Sequence, residues 1–218
     1  MPFPALYSLR RCPYCVRARL AILLAQQPVM LRDVVTSNLP SEMLQASPKG
    51  TVPVLVLADS TVIDESLDIM LWALEQSDPH NLLYCDKPQP YRDTIMSLIK
   101  SNDDDFIPFL DKYKIAARYH HDNATKYREE CEQFIRELEQ RLAKQEYLLG
   151  PRPSLADYAV LPFIRQFSRV DRKWYLNAPY PHLDRWLNAH YHNPLYSKAM
   201  AVYPRWLETK QEFLIGCT

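Results

Sequence analysis

The sequence predicts a mixed α/β domain over residues 1–77 and an all-helical domain over 91–218. Three observations carry this. In the first third, short β-prone runs alternate with stretches of helical spacing. A polar, proline-bearing stretch follows, from Ser77-Asp78-Pro79-His80 to Pro88-Gln89-Pro90, and reads as a linker over 78–90. Beyond it, apolar residues recur at helical spacing and no run alternates like a strand.

The elements follow in order. Residues 5–9 form a short β-prone run. Residues 13–26 are a helix: Pro13 suits the first helical position, and Ala18, Ile22 and Leu23 recur on one face. Residues 29–35 alternate as a strand, and 41–46 make a short helical turn. Residues 54–57 and 61–63 flank Ala58-Asp59-Ser60 as a hairpin. Residues 66–76 are again helical, so the order is β-α-β-α-β-β-α. In the second part, 91–118 and 124–146 read as long amphipathic helices, the latter carrying Tyr127, Cys131, Phe134, Leu138 and Leu142 on one face. Ser154-Leu-Ala-Asp157 has capping-box spacing and opens a helix that contains Pro162. Two further helices are expected near 182–191 and 195–202.

Composition narrows the function. Lys+Arg and Asp+Glu both number 26, so the chain lacks the basic excess of a non-specific nucleic-acid binder. No apolar run approaches the length of a membrane span. The three glycines lie far apart at Gly50, Gly150 and Gly216, which excludes the glycine-rich dinucleotide and nucleotide-phosphate loops. Five cysteines, Cys12, Cys15, Cys85, Cys131 and Cys217, make an odd and irregular set, unlike a secreted disulfide framework. The N-terminal residues lack the apolar core of a signal peptide. The expectation is a cytoplasmic protein with no nucleic-acid or membrane partner.

The chemistry gathers at Cys12-Pro13-Tyr14-Cys15. Cys12 falls at a helix N-cap, where free backbone N–H groups and the macrodipole favour negative charge. Arg10, Arg11, Arg17 and Arg19 lie close in sequence, and any that approach the sulfur favour the reactive thiolate. Cys15 lies one turn deeper and is expected to be buried and less acidic, a resolving thiol. Zinc needs about four ligands. The chain has no second CxxC, its other cysteines are isolated, and the pairs His120-His121 and His190-x-His192 are expected to be exposed, so no metal site is expected.

Two further segments complete a ligand. Thr51-Val52-Pro53 precedes a strand. Its proline fits either a plain strand start or a cis bond, and the latter would offer the Val52 backbone N–H and C=O to an extended peptide. Asp64-Glu65-Ser66 opens a helix, either as simple capping or as an anion site, with Glu65 free to accept from an α-ammonium. A ligand with a thiol, an extended peptide backbone and an amino-acid end would satisfy all three segments, and glutathione is such a molecule.

The motifs CPYC, TVPVL and DESLDI, in this order and spacing, resemble the N-terminal domain of the glutathione S-transferase (GST) superfamily. The CPYC is most similar to the two-domain, GST-fold glutaredoxins, with the omega and related cysteine-type GSTs next. Ser154-Leu-Ala-Asp157 and Leu161-Pro162-Phe163-Ile164-Arg165 extend the likeness over nearly the whole chain. The resemblance implies an α/β thioredoxin-like N-terminal domain plus an all-α C-terminal domain, the GST fold. It implies Cys12 as the nucleophile and glutathione as co-substrate. Val52, before a cis Pro53, would pair with the cysteinyl backbone of glutathione. Glu65 and Ser66 would hold the γ-glutamyl end, Lys49 would lie near the glycyl carboxylate, and Tyr14 would wall the site.

The implied activity is glutathione-dependent thiol–disulfide exchange on a disulfide, protein or small-molecule substrate. Two alternatives stand beside it: a cysteine-type transferase or deglutathionylase acting on a small electrophile or glutathionyl adduct, and a non-catalytic GST-fold interaction module. A cysteine at the active position departs from the Tyr or Ser of conjugating members. In this superfamily the second substrate binds between the domains, so Tyr113 and Asp103-Asp104-Asp105 lie on a helix expected to face that gap, the aspartates as a solvated face. Both monomers and homodimers occur among such proteins.

Overall fold

The computed structural model describes residues 3–217, which fall into two units. The first joins the segment ending at His80 to the segment starting at Asn193; the second is Asn81–His192.

The first unit is built on a five-stranded sheet, among the described residues, in the order β4-β3-β1-β2-β5. β1 (Ala5–Ser8) lies parallel to β2 (Val29–Asp33), with Leu6 opposite Leu31. It lies antiparallel to β3 (Val54–Val56), with Tyr7 opposite Val54. β4 (Val62–Ile63) extends β3 antiparallel after the expected hairpin. α1 (Pro13–Leu24) is the crossover between β1 and β2, and α2 (Ser41–Ala46) and α3 (Ser66–Gln76) complete the unit. Every residue of α1 from Cys15 to Ile22 is buried, so this helix has no solvent face for most of its length.

The chain end departs from the expected domain 91–218. α10 (Pro194–Ala199), α11 (Trp206–Thr209) and β5 (Phe213–Ile215) belong to the first unit. β5 pairs antiparallel with β2, Leu31 opposite Phe213, and so covers an edge that would otherwise leave backbone groups unpaired. Buried Arg19 anchors the return. Its guanidinium donates to Ser8 Oγ at 2.7 Å, to Asp33 Oδ1 at 3.1 Å and to the Ala199 carbonyl at 3.4 Å. Trp206 Nε1 donates to Glu42 Oε1 at 2.6 Å, and the Arg32 guanidinium lies 4.4 Å from the Trp206 ring centre. Gly216 closes the tail at φ +80°, where an added Cβ would sit 1.8 Å from the Gln27 carbonyl oxygen.

The second unit is helical. The expected helix over 91–118 is divided into α4 (Gln89–Ser101), a π-helical turn (Asn102–Phe106) and α5 (Ile107–Arg118). Pro108 is one physical reason: it has no N–H to give the Asp104 carbonyl, so the regular ladder cannot pass through that point. α6 (Ala124–Leu142) buries Cys131, Phe134, Ile135, Leu138 and Leu142. α7 (Leu155–Val170), the short α8 (Arg172–Tyr175) and α9 (Pro181–His192) follow. The expected linker is largely part of this unit. Leu82 and Tyr84 are buried, Tyr84 Oη donates to the Arg152 carbonyl at 2.8 Å, and Leu155 N donates to the Leu82 carbonyl at 2.9 Å.

The capping box at α7 is present and does more than cap. Fully buried Asp157 accepts from Leu148 N at 3.0 Å, Ser154 N at 2.8 Å, Ser154 Oγ at 2.8 Å and Trp186 Nε1 at 2.9 Å. It thus ties three separate segments together. Tyr113 is buried, its ring 6.0 Å from Phe167, and burial pushes its hydroxyl up to about 12. One expectation fails here. His190 is not exposed: it packs against Trp186 at 4.8 Å and Tyr158 at 5.3 Å, because its position on α9 faces the core and not the charged flank.

Two predictions follow from these packings. Gly216→Ala strains the left-handed backbone and drives a methyl into Gln27, so urea unfolding should show a loss of about 1–3 kcal/mol. Burial holds the His190 imidazole down at about 4 against its ordinary 6.5. The unfolded chain therefore binds that proton first, and stability falls as pH drops from about 6.5 toward about 4. Denaturant midpoints measured across that window should show the slope, and His190→Phe should remove its share.

Candidate functional site

β1 delivers the chain to the start of α1, and the turn between them is closed by Cys12 N donating to the Leu9 carbonyl at 3.1 Å. Cys12 is the N-cap of α1 with extended backbone (φ −76°, ψ 123°), and Pro13 occupies the first helical turn. The Cys12 carbonyl accepts the first helical bond from Val16 N at 3.0 Å. Its sulfur is half-buried beside the N–H groups at the helix start, a position that favours negative charge.

The partner thiol differs in burial. Cys15 is fully buried, and Leu9 N donates to its Sγ at 3.1 Å. Burial, followed by the neighbouring Cys12 thiol, pushes the Cys15 thiol well above its ordinary value. Neither cysteine is in a disulfide. Tyr14 between them is 37% exposed at the rim.

The Val52–Pro53 peptide is cis, and the Val52 carbonyl lies 3.8 Å from Cys12 Sγ. β3 places it there, because β3 runs antiparallel to β1 and begins directly after Pro53. Val52 and Cys12 share one apolar cluster with Tyr7, Cys15, Met43 and Val54, onto which Trp206 of the returning tail also packs.

The third segment opens α3. Glu65 is its N-cap and Ser66 its first residue, with Ser66 buried and Glu65 exposed. Glu65 makes no side-chain capping bond. Its carboxylate meets Lys49 Nζ at 2.8 Å, and Lys49 also reaches Asp64 Oδ1 at 2.9 Å. The hydrogen bonds it donates to Glu65 and Asp64 hold the Lys49 ammonium above its ordinary range. Asp64 is in turn lowered, first by the Ser47 hydroxyl at 2.6 Å and then by Lys49.

All eight sequence-derived residues therefore lie in the first unit, at the start of α1, in the loop that leads from α2 into β3 and at the start of α3. Lys49 is engaged with the acids at the α3 start. Of the arginines near Cys12 in sequence, Arg19 is committed to Ser8 and Asp33. Buried Arg17 reaches Ser66 Oγ at 3.5 Å. Sequence reasoning missed Ser47 and Trp206, which support Asp64 and the Cys12 cluster. Ser47 opens the SPKG run that supplied Lys49, a usable signal; nothing local marks Trp206.

Compared with known proteins, residues 6–81 match the family model for the "Glutathione S-transferase, N-terminal domain" and residues 107–189 match that for the "Glutathione S-transferase, C-terminal domain". The chain belongs to the glutathione S-transferase superfamily. Among GST relatives, mouse glutathione S-transferase omega-1 is 26% identical over 195 residues, spanning 88% of this chain and 78% of that protein. Glutathione S-transferase stcT of Emericella nidulans is 28% identical over 185 residues, spanning 80% and 81%. A Pseudomonas fluorescens glutathione transferase family member, solved with two glutathione bound, shares the fold with a TM-score of 0.78 at 19% identity, covering 91% and 92% of the two chains. Among the described residues, no helix is long and apolar enough to cross a membrane.

Within this GST-fold unit the two thiols are expected to separate by reagent. Iodoacetamide on the native protein should label Cys12, together with exposed Cys85 and Cys217, and spare Cys15. Cys131, which burial pushes up to about 12, should also be spared. Peptide mass mapping before and after denaturation reads the difference.

Proposed function

We propose that this GST-superfamily protein is a glutathione-dependent thiol–disulfide oxidoreductase in which Cys12 is the nucleophile. One observation carries the reading: the two thiols are unequal, with Cys12 at the helix N-terminus beside the Val52 carbonyl and Cys15 buried and held protonated behind it.

The Cys12 thiolate attacks the glutathionyl sulfur of a mixed disulfide. A Cys12–glutathione disulfide forms, the substrate S–S bond breaks, and the departing substrate thiolate takes a proton from solvent. A second glutathione thiolate then attacks the glutathionyl sulfur of that adduct. Oxidised glutathione leaves and the Cys12 thiolate returns, so the substrate disulfide is exchanged for that of oxidised glutathione at the cost of one free glutathione thiol. Cys15 serves as an intramolecular resolving thiol where the substrate is a protein disulfide.

Glutathione is the co-substrate. Its cysteinyl backbone pairs with Val52, whose N–H and C=O stand at the cis peptide beside Cys12. Its γ-glutamyl carboxylate sits at the α3 N-terminus on Ser66, where backbone N–H groups favour an anion. Its α-ammonium exchanges for the Lys49 ammonium on Glu65, one cation replacing another at a carboxylate already suited to it. Lys49, so released, is free for the glycyl carboxylate, and Tyr14 lies over the thiol. The same sulfur chemistry would serve release of glutathione from a glutathionyl adduct, as in cysteine-type members.

Reduction of a glutathionyl mixed disulfide, followed alongside an aryl halide and a glutathionyl ketone, tests this. Cys12→Ser should abolish disulfide reduction, since serine forms no mixed disulfide. Cys15→Ser should keep substantial activity and, after oxidised glutathione, carry a single adduct on the Cys12 peptide. Ser66→Ala and Glu65→Gln should each weaken glutathione binding about 10-fold to 150-fold, the worth of a charge-assisted hydrogen bond. Full activity in Cys12→Ser, or aryl-halide conjugation without disulfide reduction, overturns the reading.

A further inference from the structure

The second unit carries a cleft of about 420 Å³ between α5 and α7 that the thiol chemistry does not use. Lys114 and Arg118 line it from α5, and Arg165 and Arg169 line it from α7. Each pair is spaced i, i+4, so each presents two cations from one helix face. Ala117 and Val170 add apolar surface, and Gln166 completes the wall.

The charge there is poorly balanced. Lys114 Nζ pairs with Asp111 at 2.8 Å, and among the described residues no ion pair engages Arg118, Arg165 or Arg169. Some other arginines of the same unit are matched, Arg128 to Glu132 at 3.3 Å, Arg141 to Glu137 at 2.9 Å and Arg152 to Asp86 at 2.6 Å, and Arg185 gives its guanidinium to the Leu142 and Gln145 carbonyls. With 26 cations and 26 anions in the chain, the excess at the cleft is a matter of placement and not of composition. Asp171, the acid next in sequence to α7, turns instead to cap α8, accepting from Trp174 N at 2.9 Å.

Two of the four cations have a purely structural account. Arg118 and Arg169 lie in the last turns of their helices, where positive charge complements the macrodipole. Lys114 and Arg165 lie a turn further in. Arg165 Nε is in addition buried with no hydrogen-bond partner, and a buried donor of that kind costs free energy unless something accepts from it. Like charges four residues apart also repel along each helix.

We propose that this cleft binds an organic polycarboxylate. Guanidinium forks match carboxylates two bonds at a time, which suits Arg118, Arg165 and Arg169 to two or three carboxyl groups on one molecule. The volume lies in the range of small-molecule pockets, far more than one inorganic anion fills. Ala117, Val170 and the arginine stems take the carbon body. The site stands or falls independently of the reaction at Cys12.

Isothermal titration calorimetry of the full chain with benzene-1,2,4-tricarboxylate tests this, with its trimethyl ester and inorganic phosphate as controls. The tricarboxylate should bind with one-to-one stoichiometry and weaken as sodium chloride rises. The ester and phosphate should give no measurable binding. Arg165→Gln and, on the exposed rim, Arg118→Gln and Arg169→Gln should each weaken binding about 10-fold or more, the loss of a charge-assisted contact. Circular dichroism checks that each variant is folded, and the rim variants keep the test open should Arg165→Gln fail that check. Ser66→Ala should bind the tricarboxylate as the parent does. No binding to the parent protein overturns the proposal. So does equal binding of phosphate, or affinity unchanged in both rim variants.

Discussion

The site depends on the central position of β1. Flanked by parallel β2 and antiparallel β3, this strand can end only where α1 begins and where β3 enters. That topology puts the Cys12 sulfur at a helix N-terminus and 3.8 Å from the Val52 carbonyl without any one residue arranging the meeting. The one-turn offset between Cys12 and Cys15 then does the rest. Along a helix that is buried from its third residue, the first thiol faces outward and the second faces the core. Their differing chemistry is a consequence of helix geometry applied at a boundary between solvent and core.

A second constraint comes from far along the chain. The residues after Asn193 add β5 to the β2 edge, hydrogen-bond Arg19 through the Ala199 carbonyl and bring Trp206 onto the cluster that carries Cys12. Arg19 is the link between these events. A guanidinium with 1% exposure would be costly alone, and it is accommodated because Ser8, Asp33 and backbone carbonyls share its donors. The tail therefore supports the site from behind, and Gly216 is the point where backbone must approach backbone for it to fit.

Charge is handled differently at the start of α3 and in the cleft between α5 and α7. At the start of α3, Lys49 already satisfies Glu65 and Asp64, so the zwitterionic γ-glutamyl end of a ligand would exchange partners there and bring in no net charge of its own. In the cleft between α5 and α7, the cations outnumber their acids, so a ligand there must itself supply negative charge. These are opposite electrostatic designs, and they call for different chemistry in the molecules bound.

The sequence by itself determined the local features. Pro13 after Cys12 marked a helix start with a thiol at its cap, and Ser154 with Asp157 marked another start three residues apart. Alternation and helical spacing separated the strand-bearing first part from the helical second. These are readable because capping, periodicity and turn chemistry act over a few neighbouring residues. Tertiary structure alone decided that Pro53 follows a cis bond, that Lys49 bridges Asp64 and Glu65, and that His190 and Tyr113 are buried. It also decided that a run reading as a linker docks through Tyr84, and that the last residues return to the first sheet. Each of these rests on partners distant in sequence, as Trp206 is from Glu42 or Arg19 from Ala199. No local pattern encodes such pairings, because the free energy that selects them exists only once the chain has folded.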